Sequence, residues 1–161
     1  VDVLASLPEV DAERIGAIGH SLGGHNAIFV ALFDDRIKAV ATSCGFNAFT
    51  HYDGGDVSGW SHKGYMPRLR DVYRLELAKI PFDFPELLGA LAPRAVFINA
   101  PTGDDNFPVA GVKVCVEAAR PVYALLGRPD ALWVQYPEAG HDFPDAVRTS
   151  IYEGLEAALK R

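Results

Sequence analysis

No stretch of the chain holds about 18 consecutive apolar residues, so nothing in it reads as a membrane-spanning helix. Cysteine is scarce. Cys44 and Cys115 are the only two, far apart and each among apolar neighbours. That argues against a disulfide framework or a cysteine metal pair, and both are expected to be reduced, buried, small side chains. A basic surplus is also missing: 15 Lys and Arg stand against 21 Asp and Glu, a formal net charge of -6. This disfavours nucleic acid and anionic membranes as partners. There are no internal repeats and no low-complexity tracts, which removes solenoids and disordered linkers from consideration. The chain starts at Val1 rather than Met and shows no signal-peptide pattern there. The default expectation is a cytoplasmic location, with the existence of an upstream segment left open.

What is present is ordinary for a compact fold. The 161 residues are 49% apolar and 22% charged, enough to build one domain with a real core. The informative stretch is Arg14 to Asn26, R-I-G-A-I-G-H-S-L-G-G-H-N. A short apolar run, Ile15 to Ile18, ends in Gly19-His20-Ser21-Leu22-Gly23, and a helix-capable run from Ala27 to Phe33 follows. Strand, sharp turn and helix with a serine at the apex is the context in which G-x-S-x-G forms a nucleophile elbow. Such a turn strains the serine backbone, usually to positive φ, and brings strand and helix so close that the flanking positions must be small. Gly19 and Gly23 supply that room, and Gly24 extends it. The Leu22 N–H, at the helix start, is placed to face a developing oxyanion. On five residues alone the competing reading is a plain glycine-rich turn, so the rest of the chain has to decide.

Three further strands are expected: Ile37 to Ala41, Arg94 to Ala100 and Ala131 to Tyr136. The first is apolar on both faces, as a parallel strand covered by helices should be. Helices are expected at the tail Val1 to Leu7, from Pro67 to Lys79, from Pro85 to Leu91, and from Val109 to Leu126 with an interruption or bend near Pro121. The last begins near Pro144, with Val147, Ile151, Leu155 and Ala158 as one apolar stripe. Asn47 to Lys63 has no period and reads as a long loop over the site. The alternation predicts an α/β fold, a doubly wound parallel sheet of about four strands flanked by helices, with residues 46–92 as an insertion in one domain spanning 1–161.

In a parallel sheet the loops after the strands share one edge, where ligands bind. Those loops here carry Ser21, Asp104 and His141, in that chain order. A serine hydroxyl needs a base to take its proton. A neutral histidine can do so near pH 7, and a carboxylate on its other nitrogen fixes the tautomer and stabilises the imidazolium. Asp105 is the alternative to Asp104 for the third role; a loop aspartate commonly just caps a turn. Of the other histidines, His20 is the variable residue of the elbow and His25 lies on the following helix. His51 and His62 could line a pocket, be solvated, or join Asp53 and Asp56 around a metal, although no ligand spacing there is diagnostic.

The elbow G-H-S-L-G-G, the block P-F-D-F-P-E-L-L-G-A-L-A-P-R before a strand, the A-P-x-x-D-D-N-F loop and the G-H-D-F turn together resemble the C-terminal part of an α/β-hydrolase of the dienelactone hydrolase and acetyl xylan esterase type. The resemblance runs from Asp11 to about Pro144. It implies a serine esterase acting through Ser21, Asp104 and His141 on acetylated sugars, lactones or small acyl esters, with neither metal nor organic cofactor. One departure stands out. That fold has about four strands before the elbow strand, and here only a helix remnant and a linker precede it. The usual second oxyanion donor comes from that missing region. The elbow strand would also keep an open edge. The partner expected is a small-molecule ester, together with either a homo-oligomer or a missing N-terminal half that covers the edge. The competing reading is a non-catalytic half-domain used for binding. Dehalogenase chemistry would want an aspartate at the elbow, where this chain has Ser21. Trp60, Tyr65 and Phe49 are expected either to wall an acyl or sugar pocket or to serve as plain packing.

Overall fold

The computed structural model describes residues 1–160. A short helix α1 (Asp2–Ala5) leads through a linker into β1 (Ile15–His20), α2 (Leu22–Phe33) and β2 (Ile37–Ser43). A long segment then carries α3 (Arg68–Asp71) and α4 (Phe84–Leu91) before β3 (Ala95–Asn99). The chain continues with α5 (Val109–Leu125), β4 (Leu132–Gln135) and α6 (Asp145–Leu159). The four strands are all parallel and stand in the order β1-β2-β3-β4.

β2 is central and nearly continuous in burial, which is why its sequence is apolar on both faces. Val40 faces the layer of α2, α4 and α5, while Ala39 and Ala41 face α6 through Val147, Ile151 and Leu155. The alternation of Cβ direction along a strand produces this division. Helices thus cover both faces, as expected. The doubly wound order does not appear among these strands, because the three crossovers stay on one face and only the terminal α6 covers the other. β1 is an edge strand, and Ile18 on it is 43% exposed. On the adjoining helix Val30 is exposed and Phe33 is 87% exposed.

Two local expectations need correction. The helix foreseen over 67–79 stops at Asp71, because Arg74 (φ 56°) and Leu75 (φ 60°) take left-handed backbone and the Leu75 N–H returns to the Leu69 carbonyl at 2.8 Å. Leu69 is buried while Val72 is exposed, so there is no continuous core stripe to extend the helix. The interruption near Pro121 does not occur, since α5 runs through it. A proline there removes one backbone donor without ending a helix whose Ala119 and Tyr123 remain packed.

The segment 47–63, expected as an aperiodic loop whose rings either wall a pocket or simply pack, takes the packing alternative at Trp60 and Phe49. It contains two single-turn 3₁₀ stretches, Tyr52–Gly55 and Val57–Trp60, and it packs inward. Trp60 is 2% exposed, with ring centroids of Tyr52 at 4.4 Å, Phe49 at 5.3 Å, Phe84 at 5.4 Å and Phe107 at 5.8 Å. These rings form a core layer over α2 and α4 rather than an open pocket wall. Asp83 anchors the layer's rim: its carboxylate accepts from the N–H of Phe49 and of Phe84, and Glu86 completes a capping box at the start of α4.

Candidate active site

Ser21 sits between β1 and α2 with φ 53° and ψ -123°, a conformation an L-residue adopts only when its surroundings force it. The Ser21 N–H donates to the Ser43 carbonyl at 2.8 Å, and the Ser21 carbonyl accepts from His25 N–H at 3.0 Å. A Cβ on Gly19 would come within 2.1 Å of the Gly23 carbonyl group, and one on Gly24 within 2.8 Å of Thr42 Oγ1. At Gly23 itself the Cβ position is open, so the crowding predicted there falls on Gly19 and Gly24 instead. The Leu22 N–H opens α2 and has no intrahelical acceptor, as is general for a first helical residue.

Asp104 and His141 are brought to the serine by two loops that extend the sheet. Beyond β3 and β4 the backbones stay paired: Ala100 N–H to Gln135 carbonyl, Thr102 to Pro137 and Gly103 to Ala139, each at 2.9 Å. That pairing sets Asp104 beside His141. His141 Nδ1 lies 3.0 Å from both carboxylate oxygens of Asp104, and its Nε2 lies 2.9 Å from Ser21 Oγ. A carboxylate only accepts, so Nδ1 carries the proton and Nε2 is left to accept from the serine hydroxyl. Asp104 is 5% exposed and also accepts from the N–H groups of Asn106 and Phe107, which lock its orientation. Asp105 points to solvent and takes no part in this arrangement.

Four residues next to these three were not singled out by the sequence reading for the site. His20 Nδ1 lies 2.9 Å from Ser43 Oγ, with its ring centroid 5.0 Å from that of His141. Asn99 Nδ2 donates to Ser43 Oγ at 2.8 Å and to the Asp142 carbonyl at 2.9 Å. Cys44 has φ 47°, and its thiol donates to the same Asp142 carbonyl at 3.4 Å. The available signal was polar residues, Ser43 and Asn99, closing otherwise apolar strands at the ligand-binding edge.

Among the described residues, Cys44, Asp104 and His141 form the group whose ligating atoms lie close enough to hold a metal, within 4.8 Å of one another. The set His51, Asp53, Asp56 and His62 is not gathered in that way. Burial, and next the adjacent Asp104, push the Cys44 thiol up to about 12, so near neutral pH it offers a thiol rather than a thiolate. His25 is enclosed by Phe29, Trp60, Tyr65 and Phe84, and burial pulls its pKa down to about 4.

A serine on a strained strand-to-helix turn, at the carboxyl edge of a parallel sheet and with its histidine and aspartate on later loops, defines the α/β-hydrolase class of folds. Within that class, the family described as "Glucuronyl esterase, fungi" matches residues 1–127, and the chain belongs to this family. It is 31% identical over 147 residues to YtaP of Bacillus subtilis (strain 168), covering 91% of this chain and 46% of that protein. It is 25% identical over 181 residues to 4-O-methyl-glucuronoyl methylesterase 1 of Wolfiporia cocos (strain MD-104), covering 99% of this chain and 43% of that one. Among solved structures, the glucuronoyl esterase from Solibacter usitatus superposes with a TM-score of 0.79 at 20% identity, over 98% of this chain and 45% of that one. The family 15 carbohydrate esterase from Caldicellulosiruptor kristjansonii gives 0.78 at 23%, over 96% and 45%. At those identities the structural likeness concerns the fold. The chain spans less than half the length of the relatives it matches. The superfamily is the expected one, while the branch found is that of the glucuronyl esterases rather than the dienelactone hydrolases or acetyl xylan esterases.

Proposed function

We propose that the protein is a serine-dependent carboxylic ester hydrolase. The carrying observation is a single imidazole bridging Ser21 Oγ at 2.9 Å and the buried Asp104 at 3.0 Å. Ser21 Oγ attacks the ester carbonyl carbon as His141 Nε2 takes its proton. His141, held as imidazolium by Asp104, then protonates the departing alcohol, leaving an acyl-serine. Water enters with His141 as base, and its oxygen becomes part of the released acid. Given the names of the relatives, an ester of a uronic acid is the substrate class to test first.

The Leu22 N–H serves as one oxyanion donor in this reading. A second donor, and the layer that covers β1, come from a complementing half of the fold or from another subunit. Loss of one donor of such a pair typically costs about 2.7–4 kcal/mol in the barrier. The exposed Ile18, Val30 and Phe33 support that reading of the edge, and equally favour the second possibility, a non-catalytic half-domain that binds a partner. The experiment is hydrolysis of methyl glucuronate and of a chromogenic short-chain ester, by the protein and by Ser21→Ala, alongside its mass in solution. Ester turnover that vanishes in Ser21→Ala supports the hydrolase. Equal rates remove Ser21 from the mechanism, and an inert particle leaves the binding module.

A further inference from the structure

Ser43 ends β2 with its hydroxyl between two partners. Asn99 Nδ2 lies 2.8 Å from Ser43 Oγ on one side, and His20 Nδ1 lies 2.9 Å away on the other. The Asn99 amide is oriented by its second donation, to the Asp142 carbonyl at 2.9 Å, because a carbonyl can only accept. Ser43 Oγ therefore accepts from Asn99 and keeps its own proton to give. The acceptors in reach are His20 Nδ1 at 2.9 Å and the Cys44 sulfur at 3.9 Å, and the nearer and stronger is the imidazole nitrogen. A His20 that accepts at Nδ1 carries its proton on Nε2. The relay Asn99–Ser43–His20 thus runs from the buried strand ends to the rim, where His20 is exposed and its ring lies nearly parallel to Phe143.

The position of His20 gives that proton a use. In the proposed reaction His141 hands its proton to the departing alcohol, so the alcohol portion of the ester lies on the His141 side of Ser21. The His20 ring is centred 5.0 Å from the His141 ring. We propose that His20 is a specificity-determining residue, whose Nε2–H, oriented by Asn99 and Ser43, donates a hydrogen bond to an oxygen carried on the alcohol portion of the substrate. The assignment rests on the ester hydrolase reading above. It selects alcohols bearing an ether or hydroxyl oxygen, as sugars do, over plain alkyl alcohols. Desolvation of the ring where it meets Ser43, and next the neighbouring His141, shift the His20 pKa below the usual histidine value, in the direction that favours the neutral ring.

Two measurements on the intact protein test this. Long-range nitrogen–proton NMR reads the tautomer directly: His20 protonated at Nε2 is expected, and protonation at Nδ1 overturns the relay. The second compares kcat/KM for 2-methoxyethyl acetate and butyl acetate, which differ by an ether oxygen in place of a methylene. A preference for the ether ester of roughly three- to tenfold is expected, the worth of one neutral hydrogen bond. His20→Phe should abolish that preference, His20→Gln should restore part of it, and Ser43→Ala should reduce it while freeing the tautomer. Fluorophosphonate labelling of Ser21, read by mass spectrometry, separates the two claims. Labelling with no change of the ratio in His20→Phe overturns the His20 assignment alone. An unlabelled Ser21 in the wild-type protein overturns the hydrolase reading and this assignment with it.

Discussion

A Cβ added to Gly19 would stand 2.1 Å from both the carbonyl carbon and the carbonyl oxygen of Gly23, closer than any side-chain adjustment can relieve. The obstacle is backbone on both sides, β1 against the first turn of α2. Gly19→Ala should therefore destabilise the fold by about 3 kcal/mol or more, since the elbow itself has to open. Gly23→Ala meets nothing within 4 Å and replaces a helical glycine, so it should be neutral or stabilising by up to about 1 kcal/mol. Urea denaturation of the two variants checks this, and equal losses would contradict the reading of the elbow.

The two adjacent loop carboxylates should separate sharply by mutation. Asp104→Asn keeps an acceptor for the Asn106 and Phe107 N–H groups but can hold His141 in the wrong tautomer. It should lower kcat on a chromogenic ester by roughly 10³–10⁴ while leaving the melting temperature close to wild type. Asp105→Asn, at an exposed side chain, should change kcat less than about twofold. Steady-state kinetics on both variants decide the assignment.

His25 makes stability depend on pH. Its folded pKa, about 4, lies below the ordinary histidine value of about 6.5, so the folded state binds this proton less readily than the unfolded chain. The stabilisation is fully present above about pH 6.5 and is lost as pH falls through about 4, amounting to about 3 kcal/mol over the window. The surrounding rings, Phe29, Trp60, Tyr65 and Phe84, offer the imidazolium no carboxylate, and Nδ1 meets no protein partner among the described residues. Denaturation midpoints between pH 7 and 4 should fall in the wild-type protein and be flatter in His25→Phe.

The open side of β1 predicts behaviour in solution. Phe33 is almost wholly exposed, so Phe33→Asp should change folding stability by no more than about 0.5 kcal/mol. On the proposed reading that this exposed face is covered by a partner, the same substitution should weaken that association. Sedimentation velocity over a concentration series measures the effect; an unchanged distribution of masses would remove Phe33 from the interface.

The elbow was legible because its requirements are local. Glycine at 19, serine at 21 and an apolar run on either side can be read without knowing where the chain goes next. The strands were legible for a similar reason: β2 is buried on both faces and its composition shows it. The segment from 47 to 80 was not, because its backbone follows tertiary demands. Leu75 takes a left-handed conformation that no propensity favours, and Trp60 and Phe49 turn inward because α2 and α4 present an apolar surface there.

The sequence by itself determined the order of elements, the residue types available at the carboxyl edge of the sheet, and the serine's strained turn, since each depends on neighbours within a few positions. Only the tertiary structure set Asp104, and not Asp105, beside His141 and brought His20, Ser43 and Asn99 into one chain of hydrogen bonds. Those outcomes depend on how β2, β3 and β4 end beside one another in space, and the paired backbones after β3 and β4 fix distances that no spacing along the chain encodes.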